Sequence, residues 1–251
     1  MEDPGAHHKP SRKRRAGAYA VHLYTASGAV LAMLILLAAF DGNVTQALWL
    51  LLIALLIDST DGTLARRLRV SEALPGFDGR RLDDIVDYMT YVLAPVVLLW
   101  MSGYLPAGMF GVALAALPLL ASSYQFCRVD AKTEDHFFLG FPSYWNVVAF
   151  YAIVLDLAPN TVGFILLVCS LLVFIPIRYV YPSRTRAFRR LTLSLTGLWV
   201  LCYAAILLQM PEPAPLPVLL SLLYLVYYVA LSLYLTVRRP EPETEPVPAG
   251  E

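Results

Sequence analysis

The chain has 251 residues, 58% of them hydrophobic and only 15% charged, with a mean hydropathy of +0.61 and a formal net charge of +0. Soluble domains average about 45–50% apolar and about 25% charged residues, so this composition excludes a soluble enzyme and fits one polytopic membrane domain. Cys127, Cys169 and Cys202 lie in or beside apolar runs with no metal-ligand or disulfide spacing, and read as small packing residues.

Residues 1–16, MEDPGAHHKPSRKRRA, are polar and basic and read as a solvated arm. The apolar stretch 18–40 is too long for a signal-peptide core and lacks a clear cleavage site, so it reads as a retained span. Seven more spans follow at 46–66, 82–102, 105–127, 143–158, 160–181, 188–209 and 215–237, separated by breakers such as DGN, LPA, APN and MPEPAPLP. The expected fold is all-α, a polytopic helical bundle of about eight transmembrane helices over residues 17–238. Residues 239–251, rich in Pro and Glu, read as a disordered cytoplasmic tail.

All nineteen Lys and Arg residues fall on alternate connections. They occupy the N-terminal arm, the second, fourth and sixth connections and the C-terminal edge. The positive-inside rule then places both termini in the cytoplasm after eight crossings. Dropping or merging one helix would destroy that partition.

On this topology Asp58 and Asp61, in DSTDGTLARRL, end the second span at the cytoplasmic side. Asp83 and Asp87, in GRRLDDIVDYMTYVLAP, begin the third at the same side. Spacings of i, i+3 and i, i+4 put each pair on one helix face, so the two helices can aim four carboxylates into one small volume. Four such charges repel unless neutralised, and hard divalent cations such as Mg²⁺ or Mn²⁺ do this while also holding phosphate oxygens. Helix-end decoration explains Asp83, at an N-terminal turn, but not Asp58 and Asp61 at a C-terminal end, where the helix dipole disfavours anions. Gly62, Gly79 and Ala65 leave room for a ligand, and Arg66 offers a planar fork suited to phosphate.

These residues resemble the signature of the CDP-alcohol phosphatidyltransferases, Asp-x-x-Asp-Gly-x-x-Ala-Arg, a spacer, then Gly-x-x-x-Asp-x-x-x-Asp. Asp58, Asp61, Gly62, Ala65, Arg66, Gly79, Asp83 and Asp87 fill every position. The commonest spacer in that family is eight residues; here residues 67–78 make it twelve. That length resembles the bacterial phosphatidylcholine synthase branch, as do FDGRRLDDIVDYMTYV and DHFFLGFPSYWN. The resemblance implies transfer of the phosphatidyl group of CDP-diacylglycerol to choline, giving phosphatidylcholine and CMP. It also implies a dinuclear Mn²⁺ or Mg²⁺ site, a homodimer and a bacterial inner membrane. Carried over position by position, Asp58, Asp61 and Asp83 would ligate the metals. Asp87 would complete the ligand set of the second metal and act as general base. Asp61, Gly62, Ala65, Arg66 and Gly79 would shape the cytidine and diphosphate pocket.

Choline is a quaternary ammonium without an N–H, so aromatic faces are its natural partners. The expected cytoplasmic side carries Tyr88, Tyr91, Phe137, Phe138, Phe141, Tyr144, Trp145, Tyr179 and Tyr181, although interfacial aromatic belts are common in any membrane protein. Tyr88, Tyr91, Phe137, Tyr144, Trp145 and Asn146 are the acceptor-pocket candidates. Lys132, Arg128 and Arg186 are candidates for holding lipid phosphate. His22, Tyr24 and Thr25 of the first span read as helix packing before nucleotide contact. Two other readings compete: the same chemistry with serine, inositol or glycerol phosphate as acceptor, and an ion-coupled transporter. Transporters place ionisable groups near the midplane on broken helices, unlike this cluster at one face.

Overall fold

A computed structural model describes residues 11–133 and 135–238. In chain order it forms helix α1 (Arg12–Phe40), α2 (Val44–Arg67), a single turn α3 (Val70–Ala73) and a continuous rod, Gly79–Met101. The rod consists of α4 (Gly79–Asp87), a π-helical segment (Tyr88–Leu93) and α5 (Ala94–Met101). Then come α6 (Gly108–Cys127), strand β1 (Phe137–Leu139), α7 (Trp145–Val154), α8 (Pro159–Leu172), strand β2 (Arg178–Val180), α9 (Arg189–Leu208) and α10 (Pro215–Val237). Six of these helical stretches, among the described residues, are long and apolar enough to cross a membrane. The chain is a multi-pass helical membrane protein.

Two of the eight expected spans are shorter than expected. Helices α7 and α8 have 10 and 14 residues, or about 15 and about 21 Å at the α-helical rise, against a hydrocarbon core of about 30 Å. The sixth span was expected to run to residue 181 but α8 stops at Leu172. Pro176 lacks the N–H a helix needs and keeps the preceding residue out of helical conformation. The chain then turns extended, and β2 pairs antiparallel with β1, Phe138 opposite Tyr179. Gly140 (φ +84°) fits against this turn because a Cβ there would lie 2.1 Å from the Val173 carbonyl oxygen. The outer edge of β2 is covered by α10. The Arg178 and Val180 N–H groups donate to Thr236 Oγ1 (2.9 Å) and Ser232 Oγ (3.1 Å), and the Tyr228 hydroxyl donates to the Val180 carbonyl (3.0 Å). These bonds occupy much of the edge that an unpaired strand would leave open.

The basic residues Arg12–Arg15 are exposed but already helical, with Ser11 Oγ accepting from the Arg14 N–H at 3.3 Å. Residues 1–10 and 239–251, the rest of the expected arm and the whole of the expected tail, lie outside the described residues. Helix α1 organises this half of the bundle. Its buried face repeats every three or four residues through Ala18, Val21, Thr25, Gly28, Ala32, Ile35 and Ala39. Small side chains at that spacing let backbones approach closely, the usual means of helix association in lipid. A Cβ at Gly28 would sit 2.5 Å from Val86 Cγ1, so α1 and α4 meet tightly beside Asp83 and Asp87. Helix α1 also packs along α2.

The rod's π-helical segment has a local cause. Pro95 cannot donate to the Tyr91 carbonyl, and its ring crowds that turn. The Ala94 N–H instead reaches back five residues to the Met89 carbonyl. Such widened turns recur at functional sites. Here the segment carries Tyr88 and Tyr91 directly beyond Asp87. Leu98, Leu99, Trp145, Phe150, Leu166 and Ile206 fill the centre of the bundle, while Leu23, Met109, Leu201 and Leu216 point outward. Apolar residues on the outer face suit a lipid solvent.

Candidate active site

Asp58 ends the apolar part of α2, and Asp83 and Asp87 lie one helical turn apart on α4. Each offers a carboxylate oxygen within 4.8 Å of the others. None of the three forms an ion pair among the described residues. Three unpaired carboxylates this close repel strongly in an apolar bundle, and a hard, oxygen-seeking divalent cation is the charge that this donor set fits. The Tyr91 hydroxyl donates to Asp58 Oδ2 at 2.6 Å, fixing that carboxylate from the next turn of the rod. This bond joins the aromatic half of the site to the acidic half.

Asp61 stands one turn further along α2. It is buried, with the Thr25 hydroxyl of α1 facing it, and it lies outside the tight trio. The four carboxylates thus form an acidic row made of the tight trio with Asp61 beside it. Arg66, a turn beyond, donates to Thr63 Oγ1 (3.0 Å) and has no acidic partner among the described residues. A Cβ at Gly62 would crowd the Arg66 guanidinium at 3.2 Å.

The glycine and alanine positions have packing reasons as well. A Cβ at Gly79 would lie 2.7 Å from His22 Cε1, and that imidazole also stacks on Phe77 at 4.2 Å. His22 Nε2 is buried without a hydrogen-bond partner among the described residues. Tyr24 and Thr60 share a hydrogen bond of 2.9 Å between α1 and α2. Ala65 packs on Ala18, Val21, Val70, Ala73 and Leu74. The twelve-residue spacer thus folds as α3 plus a turn tucked under α1, tied by Arg14 to Glu72 at 2.6 Å. Asp78 ends it as the N-cap of α4, accepting from the Arg80 and Arg81 N–H groups, each at 3.1 Å.

A family model of the CDP-alcohol phosphatidyltransferases matches residues 21–238. The chain belongs to that family. The four aspartates of the acidic row lie within the matched residues. Among similar proteins, one from Pseudomonas aeruginosa named phosphatidylcholine synthase is 39% identical, covering 89% of this chain and 94% of its own length. Another of that name, from Legionella pneumophila, is 40% identical over 87% of this chain and 88% of its own. A third, from Borreliella burgdorferi, is 35% identical over 88% and 95% respectively.

Beyond the signature, the family member's aromatic candidates divide sharply. Trp145 is fully buried, donates its indole N–H to Ser122 Oγ (2.7 Å) and packs on Phe141. That packing makes it part of the core. One face of Phe137 is taken by the Arg178 guanidinium at 4.1 Å. Tyr88 turns toward α6, donating to the Leu119 carbonyl at 2.9 Å. Asn146 is buried, with its side-chain oxygen on the Val147 N–H (2.9 Å). Tyr91, bonded to Asp58, and Tyr144 stand 6.2 Å apart. Tyr228, which packs on Tyr144, was not anticipated. It is one of several tyrosines in YLVYYVALSLY, and nothing local distinguishes it.

The hairpin around β1 is pinned independently. Arg178 is buried and hydrogen-bonds to Asp135, which also accepts from Thr133 at 2.7 Å. Burial alone would raise the Asp135 carboxyl, but the bonds from Thr133 and Arg178 outweigh it and hold it below the usual carboxylate range.

Proposed function

We propose that this chain is a phosphatidylcholine synthase, moving the phosphatidyl group of CDP-diacylglycerol to choline with release of CMP. The single observation that carries the chemistry is the trio Asp58, Asp83 and Asp87, gathered within 4.8 Å and left unneutralised by any ion pair among the described residues. The choice of choline rests on the relatives' names and on the aromatic side of the site.

In this reading Asp58, Asp61, Asp83 and Asp87 would hold two divalent cations, Mn²⁺ or Mg²⁺. When bound, these supply the positive charge that steadies the diphosphate and the departing CMP. The protein's own groups do the rest. Asp87 accepts the choline hydroxyl proton as the oxygen attacks the β-phosphorus, the one bearing diacylglycerol. One P–O bond forms, the P–O bond to CMP breaks, and CMP leaves with the electron pair. Tyr91, through its bond to Asp58, fixes the carboxylate beside the base. Arg66, with Gly62 and Gly79 alongside, receives the diphosphate and cytidine. The Lys and Arg distribution supports a site facing the cytoplasm with both termini on that side. The family resemblance adds a homodimer in a bacterial inner membrane.

The test is acceptor use by the purified protein, supplied with Mn²⁺, CDP-diacylglycerol and equal concentrations of choline, serine, inositol or glycerol phosphate. Phosphatidylcholine should be the product. Turnover with another acceptor and not with choline would overturn the assignment.

A further inference from the structure

We infer that the acceptor's ammonium group is seated between the rings of Tyr144, Phe138 and Tyr91, a seat assembled from three separate segments and absent from the family signature. This deepens the proposed function and rests on it. The Phe138 and Tyr144 rings stand 6.3 Å apart at 80°. Two faces at right angles, each about 4.5 Å from a shared cation, have centroids about 6.4 Å apart, inside the reach of cation–π attraction. Tyr91 closes a third side, 6.2 Å from Tyr144. Its hydroxyl on Asp58 puts the seat one residue from the acidic trio, so the two-carbon arm of choline has only a short way to bring its hydroxyl to Asp87.

The surroundings hold the rings in place. Behind Tyr144 stands Tyr228 at 6.2 Å, itself anchored by its hydroxyl on Val180. Tyr181 packs at a tilt against Phe138, with ring centres 4.6 Å apart. Tyr144 and Phe138 are only partly buried, unlike Trp145. The Lys132 ammonium lies 6.0 Å from the Phe138 ring centre, a stand-in cation that the acceptor's ammonium would displace. Carboxylates and ring faces together make the region attractive to positive charge, and a quaternary ammonium needs no hydrogen-bond acceptor there.

Two measurements test the seat. First, the wild-type enzyme is offered the uncharged isostere of choline, dimethylbutanol, in which carbon replaces nitrogen. Its KM should exceed that of choline by at least about tenfold, the scale of a desolvated cation–π contact. Second, Tyr144→Leu and Phe138→Leu should raise the choline KM by a similar factor with the CDP-diacylglycerol KM little changed. Equal use of choline and its isostere would overturn the seat even if the leucine variants fail to fold, as would leucine variants with an unchanged choline KM. Wild-type enzyme that makes no phosphatidylcholine at all would instead overturn the functional assignment beneath it.

Discussion

The acids of the site come from one stretch, residues 58–87, at helical spacings on α2 and α4, while the aromatic residues around them come from segments scattered between Tyr91 and Tyr228. Helix α1 binds the first group together through a seam of small residues. The second group depends on a two-stranded hairpin and the α10 side chains that cover its edge. A carboxylate in an apolar run is expensive and therefore conspicuous. A tyrosine or phenylalanine is at home anywhere in a membrane protein, so its role shows only when its neighbours are known.

The acidic region should be the more easily broken. Removal of divalent cations by a chelator should abolish CMP release, and Mn²⁺ or Mg²⁺ added back should restore it; activity that survives thorough chelation would show that the trio holds no metal. Next in size comes Gly79→Ala, which drives a methyl group to 2.7 Å from His22. Overpacking of this kind costs about 1–3 kcal/mol, read as a lowered unfolding temperature in detergent with reduced turnover. His22→Ala in the same chain should recover much of both; no recovery would mean Gly79 serves the ligand and not the helix contact. Tyr91→Phe removes a hydrogen bond to a carboxylate, worth about 1.5–3 kcal/mol, and should slow turnover roughly tenfold while the protein stays folded. Its effect joins the two regions, and a wild-type rate would separate them. At the small end, Arg14→Ala breaks an exposed ion pair to Glu72 worth about 0–1 kcal/mol. Activity should be nearly unchanged, because α3 is held mainly by Val70, Ala73 and Leu74.

Much of this was legible in the sequence for physical reasons. Six long helices follow from hydropathy, and the acidic row follows from i, i+3 and i, i+4 spacing on two of them. The offset of Asp61 from the trio was not legible, because it depends on how α2 meets α1. The shortness of α7 and α8 was also hidden: their sequences are apolar enough to span, and only Pro176 hinted at the break. The strands β1 and β2, three residues each, carry no alternation long enough to read. Trp145 illustrates the ambiguity best. Beside Tyr144 in FPSYWN it looks like an equal candidate, yet the start of α7 turns its ring into the core and leaves Tyr144 at the site.

The most direct measurement pairs labelled choline incorporation with CMP release in vesicles holding either the wild-type protein or Asp87→Asn. Wild type should produce phosphatidylcholine and CMP in equal amounts. Asp87→Asn should produce neither at more than roughly a hundredth of that rate, the lower end of what a general base contributes, while still binding CDP-diacylglycerol. Phosphatidylcholine formed by Asp87→Asn at the wild-type rate, or CMP released by the wild type without phosphatidylcholine, would contradict the account.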